Sequence, residues 1–212
     1  MATTVIICTG GSISTDVLSY IIPDAILIAA DSGAIFLIEH GFQPDIAIGD
    51  FDSVTSEQFQ LIEQHSKQVI SCDPIDKDFT DTEMAFRLAM DMQPDRIILL
   101  GALGSRFDHT FANVSLLALA AHAQIDAKII DGNNRIALSD GTLTIQRSEF
   151  PNLSLLPFGT AVTGITLTGF QYKLENATLN VGESRGISNI LVDTVGTISH
   201  QTGRLLVIES RD

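Results

Sequence analysis

The sequence predicts an α/β N-terminal domain, with a mainly parallel sheet and flanking helices, followed by a C-terminal antiparallel β-sandwich. Three observations predict it. Over residues 1–132, short apolar runs alternate with helix-like stretches. From Arg135 onward no convincing helical pattern remains, and short β-rich segments follow one another. Successive apolar runs in the first part end in polar loops, as strands do at the ligand-binding edge of an open parallel sheet.

The elements follow in order. Apolar runs at 5–8, 26–30, 46–48, 68–71, 96–100 and 127–131 read as strands. Several are apolar at consecutive positions, which suits strands covered on both faces. Helical patterns at 32–40, 56–66, 81–92 and 108–121 separate them and give a βαβ rhythm. The pattern changes near Asp131-Gly132-Asn133-Asn134, so the expected domains are 1–132 and 133–212. Strands are expected at 142–147, 153–157, 161–167, 177–181, 187–192, 196–200 and 205–209, punctuated by Gly and polar turns.

The 212-residue chain carries 12 basic and 26 acidic residues, a formal net charge of −14. Such a field repels phosphate backbones and anionic lipid, so neither nucleic acid nor a membrane surface is an expected partner. The acid is concentrated: residues 1–145 hold 20 acidic groups, 16 of them Asp. Short carboxylates on loops suit Mg²⁺, and they equally serve turns and helix caps. No run approaches the length of a membrane span, and the N-terminus does not resemble a signal peptide. Cys8 and Cys72 lie in apolar, strand-like segments, as reduced thiols of a cytoplasmic protein would.

The polar loops hold the candidate chemistry. Thr9-Gly10-Gly11-Ser12 follows the first strand. Its glycines let a backbone approach phosphate or base closely, and serve a tight turn equally well. It matches neither a Walker A loop nor GxGxxG. Asp31-Ser32-Gly33 follows the second strand, and Gly49-Asp50-Phe51-Asp52-Ser53 the third. Asp50 and Asp52 repel each other unless a cation neutralises them, so they can present oxygens to one or two Mg²⁺ ions; an Asx turn with a helix cap is the alternative. Residues 76–83 form a second acidic loop. There Thr80 and Glu83 fit a capping box, Asp81 favours the helix dipole, and Lys77 is a lone cation suited to phosphate.

In Gly104-Ser105-Arg106-Phe107-Asp108-His109, Arg106 offers a planar fork for phosphate. Asp108 suits a cap, a metal ligand or a partner orienting Arg106. His109 and Asn113 are four apart, so both can face one site. In the second part, Gly169-Phe170-Gln171-Tyr172 and Gly186-Ile187-Ser188-Asn189 read as ordinary strand ends. With no Trp and only two Tyr in the chain, Tyr172 is one of few amphipathic rings available for stacking.

Taken in order, these strings resemble the thiamine pyrophosphokinase family. They are Ala30-Asp31-Ser32-Gly33-Ala34, Pro44-Asp45 with Gly49-Asp50-Phe51-Asp52-Ser53, and Asp76-Lys77-Asp78-Phe79-Thr80-Asp81. Gly101-Ala102-Leu103-Gly104 with Arg106-Phe107-Asp108-His109 comes next, then Gly169-Phe170-Gln171-Tyr172 and Ser188-Asn189. The resemblance runs over residues 5–208. It implies an α/β domain that binds ATP and Mg²⁺, a thiamine-binding sandwich and a homodimer. Thiamine would sit between the nucleotide domain of one subunit and the sandwich of the other. By the same resemblance Asp50, Asp52 and Asp81 are metal or catalytic carboxylates. Lys77, Thr80, Arg106, Asp108 and His109 line the nucleotide and phosphate region, together with the Gly10-Gly11 and Asp31 loops and Asn113. Ser188 and Asn189 meet the thiamine pyrimidine, and Tyr172 is its aromatic platform.

The implied reaction moves a whole pyrophosphoryl group from ATP to the thiamine hydroxyl and releases AMP. Two rivals stand beside it. Another Mg²⁺-dependent phosphotransferase or nucleotide hydrolase on the same Asp-rich sheet would give ADP or phosphate. A non-catalytic nucleotide or thiamine sensor would bind without turnover.

Overall fold

The computed structural model describes residues 2–72 and 78–212. The chain divides into two compact units, Met1–Gly132 and Asn133–Asp212.

In the first unit β1 (Thr4–Cys8), β2 (Ile26–Ala30), β3 (Ile46–Gly49), β4 (Gln68–Ser71), β5 (Arg96–Leu100) and β6 (Asp126–Ile130) form a parallel sheet. Their order is β6-β5-β1-β2-β3-β4. Every residue of β1 is buried, because Val5, Ile6, Ile7 and Cys8 alternate between two covered faces. On one face Ile6, Cys8, Leu27 and Ala29 pack with Ala34 and Leu37 of α1 (Gly33–Glu39) and Ile62 of α2 (Ser56–His65). On the other, α3 (Asp81–Asp91) packs on β1, β2 and β3 and also meets α4 (Phe107–His122). Each fully buried aliphatic side chain contributes roughly 1.5–3 kcal/mol of transfer free energy. Burial also pushes the Cys8 thiol up to about 12, so it remains an inert, protonated packing group. A 3₁₀ turn, Thr15–Tyr20, follows the β1 loop and was not legible in the hydropathy pattern.

Side-chain caps specify the starts of α2 and α3. Thr55 caps α2 with a complete capping box: Gln58 N–H donates to Thr55 Oγ1 at 3.2 Å, and Thr55 N–H donates to Gln58 Oε1 at 2.9 Å. At α3 the expected box is only half formed. Glu83 N–H donates to Thr80 Oγ1 at 3.2 Å, but the Glu83 carboxylate instead accepts from Arg87 Nε at 2.9 Å. A cation one turn downstream on the same face outcompetes the reciprocal cap.

The second unit holds two antiparallel sheets. One has the order β12-β9-β14-β7, from β7 (Asn134–Ser139), β9 (Asn152–Pro157), β12 (Asn189–Ile190) and β14 (Leu205–Ser210). The other has the order β11-β10-β13-β8, from β8 (Thr142–Gln146), β10 (Val162–Thr168), β11 (Ala177–Leu179) and β13 (Val195–Ser199). Leu153, Leu155, Leu205 and Val207 of the first pack against Val162, Ile165, Leu179 and Ile198 of the second, giving a sandwich core. The expected strand at 187–192 shortens to two residues. Strand β7 was not expected, because Arg135 and Asn134 break its apolar pattern. Their acceptance has a register cause: Arg135 lies opposite Glu209 on β14, and Arg135 Nη1 reaches both Glu209 oxygens at 3.3 Å. Among the described residues no helix is long and apolar enough to cross a membrane.

Candidate active site

In the first unit β1 lies between β5 and β2, so the chain runs on from β1 and from β5 to strands on opposite sides, β2 and β6. This is the topological switch point at which open parallel sheets bind ligands. A cavity of about 920 Å³ opens there, lined by the ends of β1, β2, β3 and β5 and the starts of α3 and α4.

Its floor is built by close backbone approach. Thr9 Oγ1 donates to Gly101 O at 2.6 Å, and Ser12 N–H donates to Leu103 O at 3.1 Å, lacing the β1 loop to the β5 loop. At Gly11 a Cβ would run into Gly101 O and lie 3.2 Å from Leu103 O; at Gly10 it would collide with Ser32 Oγ. The β5 loop is fastened to α4 in turn. Asn113 Nδ2 donates to Ala102 O at 2.8 Å, and Gly104 N–H donates to Thr110 Oγ1 at 3.1 Å. Asn113 is buried and lines the cavity, but its amide N–H₂ is engaged in holding this loop.

The carboxylates converge on one wall. Asp31 follows β2 in a left-handed conformation, φ 51°, and its N–H donates to Ile48 O on β3 at 3.0 Å. In the next loop Phe51 turns inward, buried against Phe59 with ring centroids 5.1 Å apart. That anchoring leaves Asp50 and Asp52 on its two sides, with Asp52 N–H donating to Asp50 Oδ1 at 3.1 Å. One oxygen each from Asp31, Asp50 and Asp52 lies within 4.8 Å of the others, a spacing that suits a hard divalent cation. Asp81 opens α3 and lines the same cavity, with its Oδ1 beside Gly49, but it lies outside that group of three oxygens. Sequence reasoning put Asp31 with the nucleotide and Asp81 with the metal. The β2–β3 register brings Asp31 into the carboxylate cluster, although it is about twenty residues away in sequence.

Asp31 carries the electrostatic signature of the group. Burial pushes its pKa up, and the charges of Asp81 and Asp52 push it further, while hydrogen bonds from the Ser53 hydroxyl and the Ser32 backbone pull it down. Its Oδ2 accepts from Ser53 Oγ. Its Oδ1 is shielded from water and meets no donor at hydrogen-bonding geometry among the described residues. A buried, uncompensated carboxylate oxygen facing like charges fits a site made for a cation.

Arg106 caps the approach to α4 and lines the cavity. Asp108 does not line it. It grips the guanidinium instead, Nη2 to Oδ2 at 2.6 Å and Nε to Oδ1 at 3.3 Å. This pairing holds the Asp108 carboxyl below and the Arg106 guanidinium above their ordinary ranges. Both side chains are exposed, so the pair adds little stability, and its effect is to aim the fork. Thr80 and His109 also line the cavity. Lys77 lies outside the described residues, as does Asp76.

The second-unit candidates form a separate arrangement. Tyr172 is 58% exposed. Asn189 is buried, and its side chain holds the Tyr172 backbone from both sides: Oδ1 accepts Tyr172 N–H at 3.0 Å and Nδ2 donates to Tyr172 O at 2.8 Å. Thus the amide expected to meet a ligand is occupied in presenting the ring. Ser188 adopts φ 58°, and its N–H donates to Ser154 Oγ at 3.1 Å, leaving the residue on the exposed side of the turn.

Comparison with known proteins bears on both units. Residues 18–129 match the thiamin pyrophosphokinase catalytic domain, and residues 142–205 match the thiamin pyrophosphokinase vitamin B1 binding domain. The chain is 33% identical over 213 residues to the thiamine pyrophosphokinase of Bacillus subtilis, covering 99% of each. The crystal structure of a Bacillus subtilis thiamine pyrophosphokinase superposes with a TM-score of 0.93 at 33% identity, over 99% of this chain and 100% of that one. That of the Geobacillus thermodenitrificans thiamin pyrophosphokinase gives 0.90 at 34% identity, over 99% and 98%. With matches of this extent across both units, the chain belongs to the thiamin pyrophosphokinase family.

Proposed function

We propose that the protein transfers a pyrophosphoryl group from ATP to the hydroxyl of thiamine, giving thiamine diphosphate and AMP. The observation that carries this reading is the convergence of Asp31, Asp50 and Asp52 within one large cavity that also presents the Gly10-Gly11 loop and Arg106. The cavity volume lies within the range that nucleotide-sized ligands occupy.

Each group has a task. The glycine loop would offer backbone N–H groups to the phosphates, its two glycines letting it lie close against Ser32 and the β5 loop. Arg106, steadied by Asp108, supplies fixed positive charge in a chain of formal charge −14. Thr80 and His109 line the same cavity, and Lys77 is assigned to the nucleotide by the family resemblance alone. Asp31, Asp50, Asp52 and Asp81 would hold Mg²⁺, which when bound neutralises the phosphate oxygens and turns an acidic pocket into an anion site. The thiamine hydroxyl oxygen attacks the β-phosphorus, the bond from that phosphorus to the α–β bridging oxygen breaks, and AMP leaves. The protein's contribution is alignment and charge stabilisation. The acidic field also favours capture of the cationic thiazolium.

Tyr172 is the stacking platform, held by Asn189, with Ser188 beside it. Tyr172→Ala is expected to raise the thiamine KM on the order of three- to tenfold, with the ATP KM unchanged. Steady-state kinetics with each substrate varied would check it, and an unchanged thiamine KM would remove the stacking role. The reading includes a homodimer and a reducing cytoplasmic setting, in which the free thiols Cys8 and Cys72 stay unpaired with one another.

The deciding experiment incubates the protein with Mg²⁺, ATP and thiamine and resolves the products by chromatography. AMP and thiamine diphosphate should rise together, and AMP should be absent without thiamine. ADP as the product, or nucleotide cleavage independent of thiamine, would overturn the assignment.

A further inference from the structure

The loop that carries Asp50 and Asp52 continues into Ser53. The Ser53 hydroxyl donates to Asp31 Oδ2, joining two strand ends 22 residues apart in sequence. We propose that Ser53 is a positioning residue for the carboxylate centre. By holding Oδ2 it fixes the rotation of the Asp31 carboxylate and so aims that group for a divalent cation. This rests on the reading that such a cation is held by Asp31, Asp50 and Asp52.

The Asp31 backbone is already fixed. Its φ of 51° and its N–H bond to Ile48 O leave side-chain rotation as the remaining freedom. Three carboxylates whose oxygens converge within 4.8 Å repel one another and would swing apart without a restraint. A neutral hydroxyl donor restrains one of them without adding a competing charge. Outer-shell partners of this kind orient a ligand through the oxygen that does not bind metal.

Simpler roles for Ser53 do not account for the bond. It is exposed, so it is not a packing residue. It does not line the cavity, so it has no direct hold on substrate. It is not the cap of the following helix, because Thr55 provides that cap with a complete box of its own. The turn it belongs to closes through the backbone, Val54 N–H to Phe51 O at 3.4 Å.

The test titrates Mn²⁺ alone into the full chain and reads free and bound ion by electron paramagnetic resonance. The proteins compared are the unmodified chain, Ser53→Ala, Ser53→Thr and Asp50→Asn. Ser53→Ala should weaken Mn²⁺ affinity about tenfold or more. Ser53→Thr, which keeps the hydroxyl at an exposed position with room for a methyl, should restore it. Melting temperatures of the unmodified chain and the two Ser53 variants in chelator should coincide. Unmodified affinity in Ser53→Ala overturns the positioning role and leaves the cation reading standing. Equal weakening in Ser53→Thr and Ser53→Ala assigns the effect to the shape of the turn and also overturns the proposal. An unmodified chain that binds Mn²⁺ no better than Asp50→Asn overturns the cation reading, and the Ser53 role falls with it.

Discussion

Asp50→Asn is expected to lower thiamine-dependent AMP release by on the order of a hundredfold or more, with the fold intact. The substitution is nearly isosteric and keeps an oxygen for the Asp52 N–H, which now donates to Asp50 Oδ1 at 3.1 Å. The loop therefore retains its turn, and Phe51 retains its seat against Phe59. What is lost is one formal charge from a cluster whose purpose, in the proposed function, is to gather cationic charge beneath a polyphosphate. The same loss relieves repulsion in the metal-free protein, so the melting temperature in chelator should stay level or rise. A fall in activity together with a collapsed melting temperature would point to misfolding instead. Turnover close to that of the unmodified chain, at saturating Mg²⁺, would remove Asp50 from the mechanism.

Gly11→Ala should be nearly as damaging, for a different reason. The added Cβ meets Gly101 O and stands 3.2 Å from Gly101 C and Leu103 O, all of them backbone atoms. Backbone cannot step aside as a flexible side chain can. The β1 and β5 loops must separate, breaking the bonds that lace them, Thr9 to Gly101 and Ser12 to Leu103. Overpacking of this kind costs roughly 1–3 kcal/mol, or about 2–4 °C of melting temperature per kcal/mol for a chain of this size. The ATP KM should rise in parallel, because the glycine loop is the surface proposed to approach the phosphates. Gly141→Ala is the control: a Cβ there meets nothing within 4 Å among the described residues. If Gly11→Ala behaved like Gly141→Ala in both melting and ATP kinetics, the close-approach role of the loop would be wrong.

Much of this site was legible before any coordinates. Strands β2 and β5 coincide with their apolar runs, since a strand buried on both faces writes itself as consecutive Ile, Leu and Ala; the edge strand β4 coincides too, marked by Val69 and Ile70 between exposed ends. Asp50 and Asp52 stood out because only Phe51 separates them in sequence and they follow such a run. Asp31 did not join them on paper, because its membership depends on the register that sets Ala30 beside Ile48. Hydrogen-bond competition was also invisible. Glu83 has two good partners, the Thr80 backbone and Arg87, and only geometry decides between them. Asn113 and Asn189 were read as ligand contacts because their positions are right; their amides turn out to serve Ala102 and Tyr172. A short polar side chain near a site satisfies the backbone first whenever a buried main-chain group lies within reach.

The left-handed backbone at Asp31 narrows what evolution or a saturation library can place there. Gly, Asn and Asp enter that region at the lowest cost; Gln93 and Gln124 also occupy it in this chain, so Glu, the obvious acidic replacement, is disfavoured there mainly by its longer reach. Of the three residues that enter it at the lowest cost, a single one brings a negative charge. The backbone conformation and the need for a short negative charge together favour Asp at position 31, and in a deep mutational scan the position should tolerate few substitutions.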